Sequence, residues 1–201
     1  MPDTAVYNPE THHRRSLRLQ GYDYTQAGMY CVTICAHSRK CLFGEIVDGQ
    51  MGLNDMGQIV LECWGDLPRH YKNLKLDYFA IMPNHVHGIM VMSDMPVAMV
   101  GAGLKPAPTE KRHGLPEMVR ALKTFSSKRI NEIRSTPGMP VWQRNYYEHV
   151  IRDDDGLNRI REYIINNPAN WQDDEENQNT HKIGCLAASS TTEKPEKKIK
   201  K

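Results

Sequence analysis

The sequence predicts an α+β domain in which helices pack on a mostly antiparallel sheet. Three observations lead there. Apolar runs rich in Val, Ile, Tyr and Thr have the composition of strands. Three longer segments repeat apolar residues at the helical period. The two kinds follow each other in runs, β-β-α-β-β-α-β-α, so a regular alternating α/β winding is not expected.

Each element has a local reason. "MYCVTICAH" (29–37) reads as a strand, and "CLFGEIV" (41–47) as a second strand after a basic turn. Asn54 can cap a helix running to about Tyr71, with Met56, Ile59, Val60, Cys63 and Leu67 on its apolar face. "DYFAIMPNHVHGIMVM" (77–92) is long enough for two strand segments broken at Pro83-Asn84, because proline cannot donate to a ladder. A helix over 115–134 would bury Leu115, Met118, Val119, Leu122, Phe125 and Ile133. "VWQRNYYEHVIR" (141–152) reads as a strand. The last helix starts at "DDDG" and stops before Pro168, since the residue preceding proline resists the helical conformation.

The 201 residues fit one domain with tails. Residues 1–13 read as a flexible N-terminus and 14–172 as the domain. Residues 93–113 are Gly-, Pro- and Ala-rich and read as an inserted loop, and the charge-rich 173–201 as a disordered tail. No apolar run has the length of a membrane helix, and residues 1–20 are polar and basic, so a cytoplasmic protein is expected. The five cysteines include no CxxC pair and read as reduced thiols, with Cys31, Cys35, Cys41 and Cys63 in or near core patterns. A net charge of +2 says little, but its distribution says more. Arg14, Arg15 and Arg18 cluster near one end, and Arg120, Lys123, Lys128, Arg129 and Arg134 crowd one segment. Such patches suit a phosphate backbone or a solvated helix face.

His85 and His87 sit inside the most apolar stretch of the chain. On a strand, residues i and i+2 share a face, so both imidazoles project side by side. Two nitrogen ligands leave open positions on a cation, or else the rings are simply buried and hydrogen-bonded. Gly88 would allow close approach of another backbone or a substrate. On the last helix, Tyr163 and Asn167 are one turn apart and share a face. A phenol beside an amide oxygen makes a nucleophile-plus-ligand unit. Mixed nitrogen and oxygen ligation suits Mg²⁺ or Mn²⁺ acting on a phosphodiester. The alternative is a half-buried helix tyrosine and a C-terminal cap.

"MPNHVHGIM", "VWQRNYYEHVIRDDDGLNRIREYIINNP" and "RRSLRLQGYDYTQAGMYCVTI" together resemble the REP-associated tyrosine transposases, within the wider IS200-like, single-tyrosine group named for its His-hydrophobic-His motif. The resemblance covers about residues 12–172. It implies a ferredoxin-like antiparallel sheet with flanking helices, the HUH endonuclease fold. It implies a hairpin-forming single-stranded DNA substrate of the repetitive extragenic palindrome kind, in a nucleoid-associated monomer or homodimer. It makes His85 and His87 metal ligands, Tyr163 the nucleophile, and Asn167 the third ligand where the group usually has glutamine. Tyr146 and Tyr147 are rival nucleophiles, and His149 is a supporting candidate. Arg14, Arg15, Arg18, Lys123, Lys128 and Arg129 would contact DNA, and Trp142, Tyr146 or Tyr147 would stack on bases.

The implied reaction is DNA nicking and strand transfer. The phenolate attacks phosphorus, leaving a 3′-hydroxyl and a 5′-phosphotyrosine, and a second 3′-hydroxyl reverses the step. No GxxxxGK[ST] stretch is present, which agrees with a reaction that uses no ATP. Two other readings stay open at this point. One is a hairpin-binding protein of weak catalytic power. The other is a phosphodiesterase that uses water.

Overall fold

The computed structural model describes residues 21–94, 113–174, 176 and 177. Arg14, Arg15 and Arg18 and most of 93–113 and 173–201 lie outside the described residues.

The central sheet is formed by β1 (Gly28–Cys35), β4 (Leu74–Ile81), β5 (His85–Met92) and β6 (Tyr147–Ile151), in the order β4-β5-β1-β6. All its pairings are antiparallel. Helix α1 (Asp55–His70) connects β1 to β4, and α2 (Leu115–Ile133) connects β5 to β6. Leaving aside a small hairpin, this is the β-α-β-β-α-β order of a ferredoxin-like sheet. Helix α3 (Asp154–Asn166) follows β6.

Two of the three helices start where side chains supply missing acceptors, and α2 starts instead at Gly114 with Pro116 in its first turn. Asn54 accepts the Gly57 N–H at 3.0 Å to open α1, and Asp153 accepts the Gly156 N–H at 2.6 Å to open α3. The alternation of β5 then divides the two faces of the sheet. Val86 and Met90 join Tyr30, Val32 and Ile34 in the main core under α1 and α2. Ile89 turns the other way and packs with Ile151, Leu157 and Ile164 beneath α3.

Several expected details change. The second strand is only Gly44–Val47 (β2), and it pairs with a strand not foreseen, β3 (Gln50–Leu53), in a separate hairpin. Its turn has positive φ at Asp48 (52°) and Gly49 (73°), the conformation that Asp-Gly favours between hairpin strands. Residues 141–146 are not a strand. They meet the end of β1 and the residues after it through a bridge from Ala36 to Trp142 and a hydrogen bond from Gln143 N–H to the Cys35 carbonyl, before β6 begins. Phe125 (49% exposed) and Ile133 (55% exposed) are not core residues. Phe125 lies at the side of α2 and stacks on His70, with centroids 5.9 Å apart. Cys41 is exposed, whereas Cys35 and Cys63 are buried; all four cysteines among the described residues are free thiols.

Gly88 serves packing. A Cβ there would lie 2.4 Å from the Trp64 ring, which stacks on Phe79 at 4.3 Å and 8° on the face opposite the histidines. The expected approach of a substrate at this glycine is replaced by an indole. No described helix is long and apolar enough to cross a membrane.

Candidate active site

Strand β5 projects His85 and His87 toward the α3 side, where their Nε2 atoms lie 2.8 Å apart. Both rings are buried, at 0% and 4% exposure. Burial is the main reason that His85 is pushed down to about 2, with His87 and Arg39 adding to it. Burial alone pushes His87 down to about 4. Both imidazoles are therefore neutral at pH 7, the form that ligates metals.

Their neighbours decide where the protons sit. Asn84 Nδ2 donates to the carbonyl oxygens of Glu176 (2.7 Å) and Arg39 (3.3 Å). Its Oδ1 therefore faces His85 Nδ1, at 2.8 Å, and accepts that N–H. His85 is left with a bare Nε2. His87 Nδ1 meets the Thr33 hydroxyl at 2.8 Å. If Thr33 donates, His87 Nε2–H bonds His85 Nε2 and the pair is satisfied. If Thr33 accepts, two lone pairs converge, and a cation between them relieves the repulsion.

Two oxygen donors are candidates to complete the set. Asp174 Oδ2 is 3.8 Å from His85 Nε2, and one ligand atom from each of His85, His87 and Asp174 lies within 4.8 Å of the others. Asn167 caps α3 and is 3% exposed, and neither its Oδ1 nor its Nδ2 has a partner among the described residues. Leaving such an amide buried and unpaired costs about 1–3 kcal/mol. Two neutral imidazoles and a nearby carboxylate form a donor set that fits a divalent cation, and the orphaned Asn167 amide stands one turn from Tyr163 on α3.

Helix α3 brings Tyr163 against His87, edge to face, with centroids 5.3 Å apart. The phenol is 53% exposed, so it stands at the open side of a buried pair. The helix is tied to β4 by a two-point ion pair. Arg161 Nε and Nη2 meet Asp77 Oδ1 and Oδ2 at 2.9 and 2.7 Å. The rival tyrosines separate by strand alternation. Tyr147 pairs with Thr33 and so shares the His87 face. Tyr146 is buried on the other side, beneath the Lys123 ammonium. His149 pairs with Cys31, one step away from the Thr33 row, and does not join the His85–His87–Asp174 group. Of the basic residues expected at DNA, Arg129 is bound to Glu62, Lys128 is exposed, and Lys123 lies in a groove on the α2 side.

Four residues that frame the histidines, Thr33, Asn84, Asp174 and Glu176, were not singled out from the sequence. Asn84 had a local signal, a polar residue directly before the His-x-His run. Asp174 and Glu176 lie past residue 172, in a stretch whose charge reads as solvated tail. Yet Glu176 is held by Arg39 Nε at 2.7 Å, and the Cys35 thiol, pushed up to about 12 chiefly by burial, donates to it at 3.4 Å.

No family model matches the chain. An uncharacterized protein of Haemophilus influenzae is 40% identical over 182 residues, covering 86% of this chain and 97% of that protein. A second Haemophilus influenzae protein, assigned to the REP-associated tyrosine transposases, is 28% identical over 148 residues and 73% of each chain. Among solved structures, a REP-associated tyrosine transposase bound to a REP hairpin superimposes with a TM-score of 0.51. The identity is 16%, over 75% of this chain and 72% of that one. This last likeness is one of fold.

Proposed function

This chain belongs to one family with the Haemophilus influenzae protein that is 40% identical to it, and it resembles the REP-associated tyrosine transposases in sequence and fold; from that premise we propose that it nicks and rejoins hairpin-forming single-stranded DNA through Tyr163. The observation that carries the reading is the contact of the Tyr163 ring with His87, which sets an exposed phenol beside two neutral imidazoles.

His85 and His87 would hold a divalent cation such as Mg²⁺ or Mn²⁺, with Asn167 or Asp174 supplying oxygen. When bound, that ion would withdraw charge from a phosphate oxygen. Asn84 keeps the His85 proton on Nδ1, away from the site, and Thr33 orients His87. The α3 helix, fixed through Asp77, carries the Tyr163 oxygen to phosphorus. The phenol gives its proton to solvent, the new bond is the phosphotyrosine ester, the bond broken is to the leaving 3′-oxygen, and that oxygen takes a proton from solvent. Attack by another strand's 3′-hydroxyl restores the phosphodiester and frees the phenol. His85 and His87 are buried, so the interactions there act in a low dielectric.

The test uses labelled single-stranded hairpin oligonucleotides from DNA flanking the gene, with Mg²⁺ or Mn²⁺, resolved on denaturing gels. The expected result is a protein–DNA adduct on the downstream fragment that disappears in Tyr163→Phe and persists in Tyr147→Phe. Cleavage that survives in Tyr163→Phe without any adduct would overturn the reading and favour hydrolysis by water. An adduct lost only in Tyr147→Phe would move the nucleophile to β6.

A further inference from the structure

A groove of about 780 Å³ runs between α2 and residues 140–146. Lys123 enters it from α2, and its Nζ donates to the carbonyl oxygens of Arg144 and Asn145, each at 3.1 Å. No carboxylate pairs with this ammonium among the described residues. Burial therefore dominates and pushes the amine down to about 8 from an ordinary 10.5. The charged groups around it do not undo this. Arg120, one turn back on α2, and Arg144, on the opposite wall, are cations. Glu117 is paired with His113 at 3.0 Å. The Cys35 thiol, at the end of β1, is pushed up to about 12 and stays neutral.

We propose that Lys123 is a modification site, at which Nζ takes the acyl group of an acyl phosphate held by Arg120 and Arg144. The site is independent of the chemistry at Tyr163. The geometry of the amine is the first reason. A neutral amine keeps two N–H groups, and the two carbonyl oxygens claim both. Its lone pair takes the remaining tetrahedral position, which is left to the groove. At pH 7 about a tenth of the molecules carry this form, against about 3 in 10,000 for an exposed lysine.

The two guanidinium groups are the second reason. Arg120 and Arg144 are exposed, line the same groove and have no ion-pair partner among the described residues. A guanidinium meets two phosphate oxygens at once, so the pair seats the anionic end of the donor. The Arg144 carbonyl touches Nζ and Arg120 is one helical turn from Lys123, so both side chains start beside the amine. In the reaction the Nζ lone pair attacks the acyl carbon and an amide bond forms. The C–O bond to phosphate breaks, its oxygen keeps the electron pair, and the amine proton goes to the departing phosphate. The product removes one positive charge from the groove. It also keeps a single N–H for two carbonyls, so one tie between α2 and residues 144–145 is lost.

The test incubates the full chain with acetyl phosphate and follows acetylation of each lysine over time by mass spectrometry of a digest. At pH 7, Lys123 should react at least about fivefold faster than the exposed Lys75 and Lys128. Raising the pH from 7 to 9 should speed Lys123 about tenfold and the exposed lysines about a hundredfold, because only Lys123 approaches full deprotonation. Excess inorganic phosphate should slow Lys123 and spare the others. In Arg120→Gln/Arg144→Gln, the Lys123 rate with acetyl phosphate should fall at least about fivefold. With acetic anhydride, an uncharged donor, it should stay within about threefold of wild type, which also reports an intact groove. A Lys123 no faster than Lys75, or one with the hundredfold pH response, would overturn the site. An unchanged acetyl phosphate rate in the double variant, or equal losses with both donors, would overturn the phosphate seat.

Discussion

Lowering the pH from 7 to 5 in a chelator should weaken the metal-free fold, and the loss should trace to two side chains. His85 and His87 have folded-state values of about 2 and about 4, against an ordinary 6.5. As pH falls through 6.5, the unfolded chain binds protons that the folded chain refuses, so stability is full above 6.5 and drops below it. From 6.5 to 5 each histidine loses roughly 1.4 kcal/mol per pH unit, about 2 kcal/mol in all, and the pair about 4 kcal/mol. Both rings are almost completely buried, so solvent screening removes little of this. Against a typical total of about 5–15 kcal/mol, the change is large. Urea unfolding midpoints at pH 7, 6 and 5 measure it, for wild type and His85→Gln/His87→Gln. Other groups titrate in both proteins, so the difference between the two slopes isolates the pair. Parallel slopes would refute the reasoning, because the imidazoles would then titrate as they do in water.

Asn167→Leu should have opposite effects on stability and binding. Removing an orphaned amide should raise the metal-free melting temperature or leave it unchanged, while Mn²⁺ titration shows weaker binding; an equal melting gain from Mn²⁺ in both proteins would assign the oxygen to Asp174. Asn84→Ala should lower Mn²⁺ affinity about 10–100-fold by releasing the His85 tautomer, measured by calorimetry. Gly88→Ala should cost about 1–3 kcal/mol in urea unfolding, because the new methyl meets the Trp64 ring, and adduct formation by the folded fraction should continue.

The sequence by itself determined the α+β class, the caps at Asn54 and Asp153, the break at Pro83-Asn84, and the pairing of His85 with His87 on one face. These follow from local rules: a cap needs its oxygen three residues before a free N–H, and alternation on a strand needs no knowledge of its partners. The Asp48-Gly49 pair also carries a local hairpin signal, but the reading of the sequence passed over it and β3 was not expected. Tertiary structure decided the rest. Phe125 fits the helical period, yet it is exposed, because period fixes an angle around the helix and not whether another element reaches that angle. Tyr146 and Tyr147 are neighbours in sequence, and only the β1–β6 register shows which one shares a face with His87. Asp174 and Glu176 belong to a run that looks solvated. They meet His85 and Arg39 because the chain after α3 folds back over β5, and no short-range pattern records where a returning chain will touch.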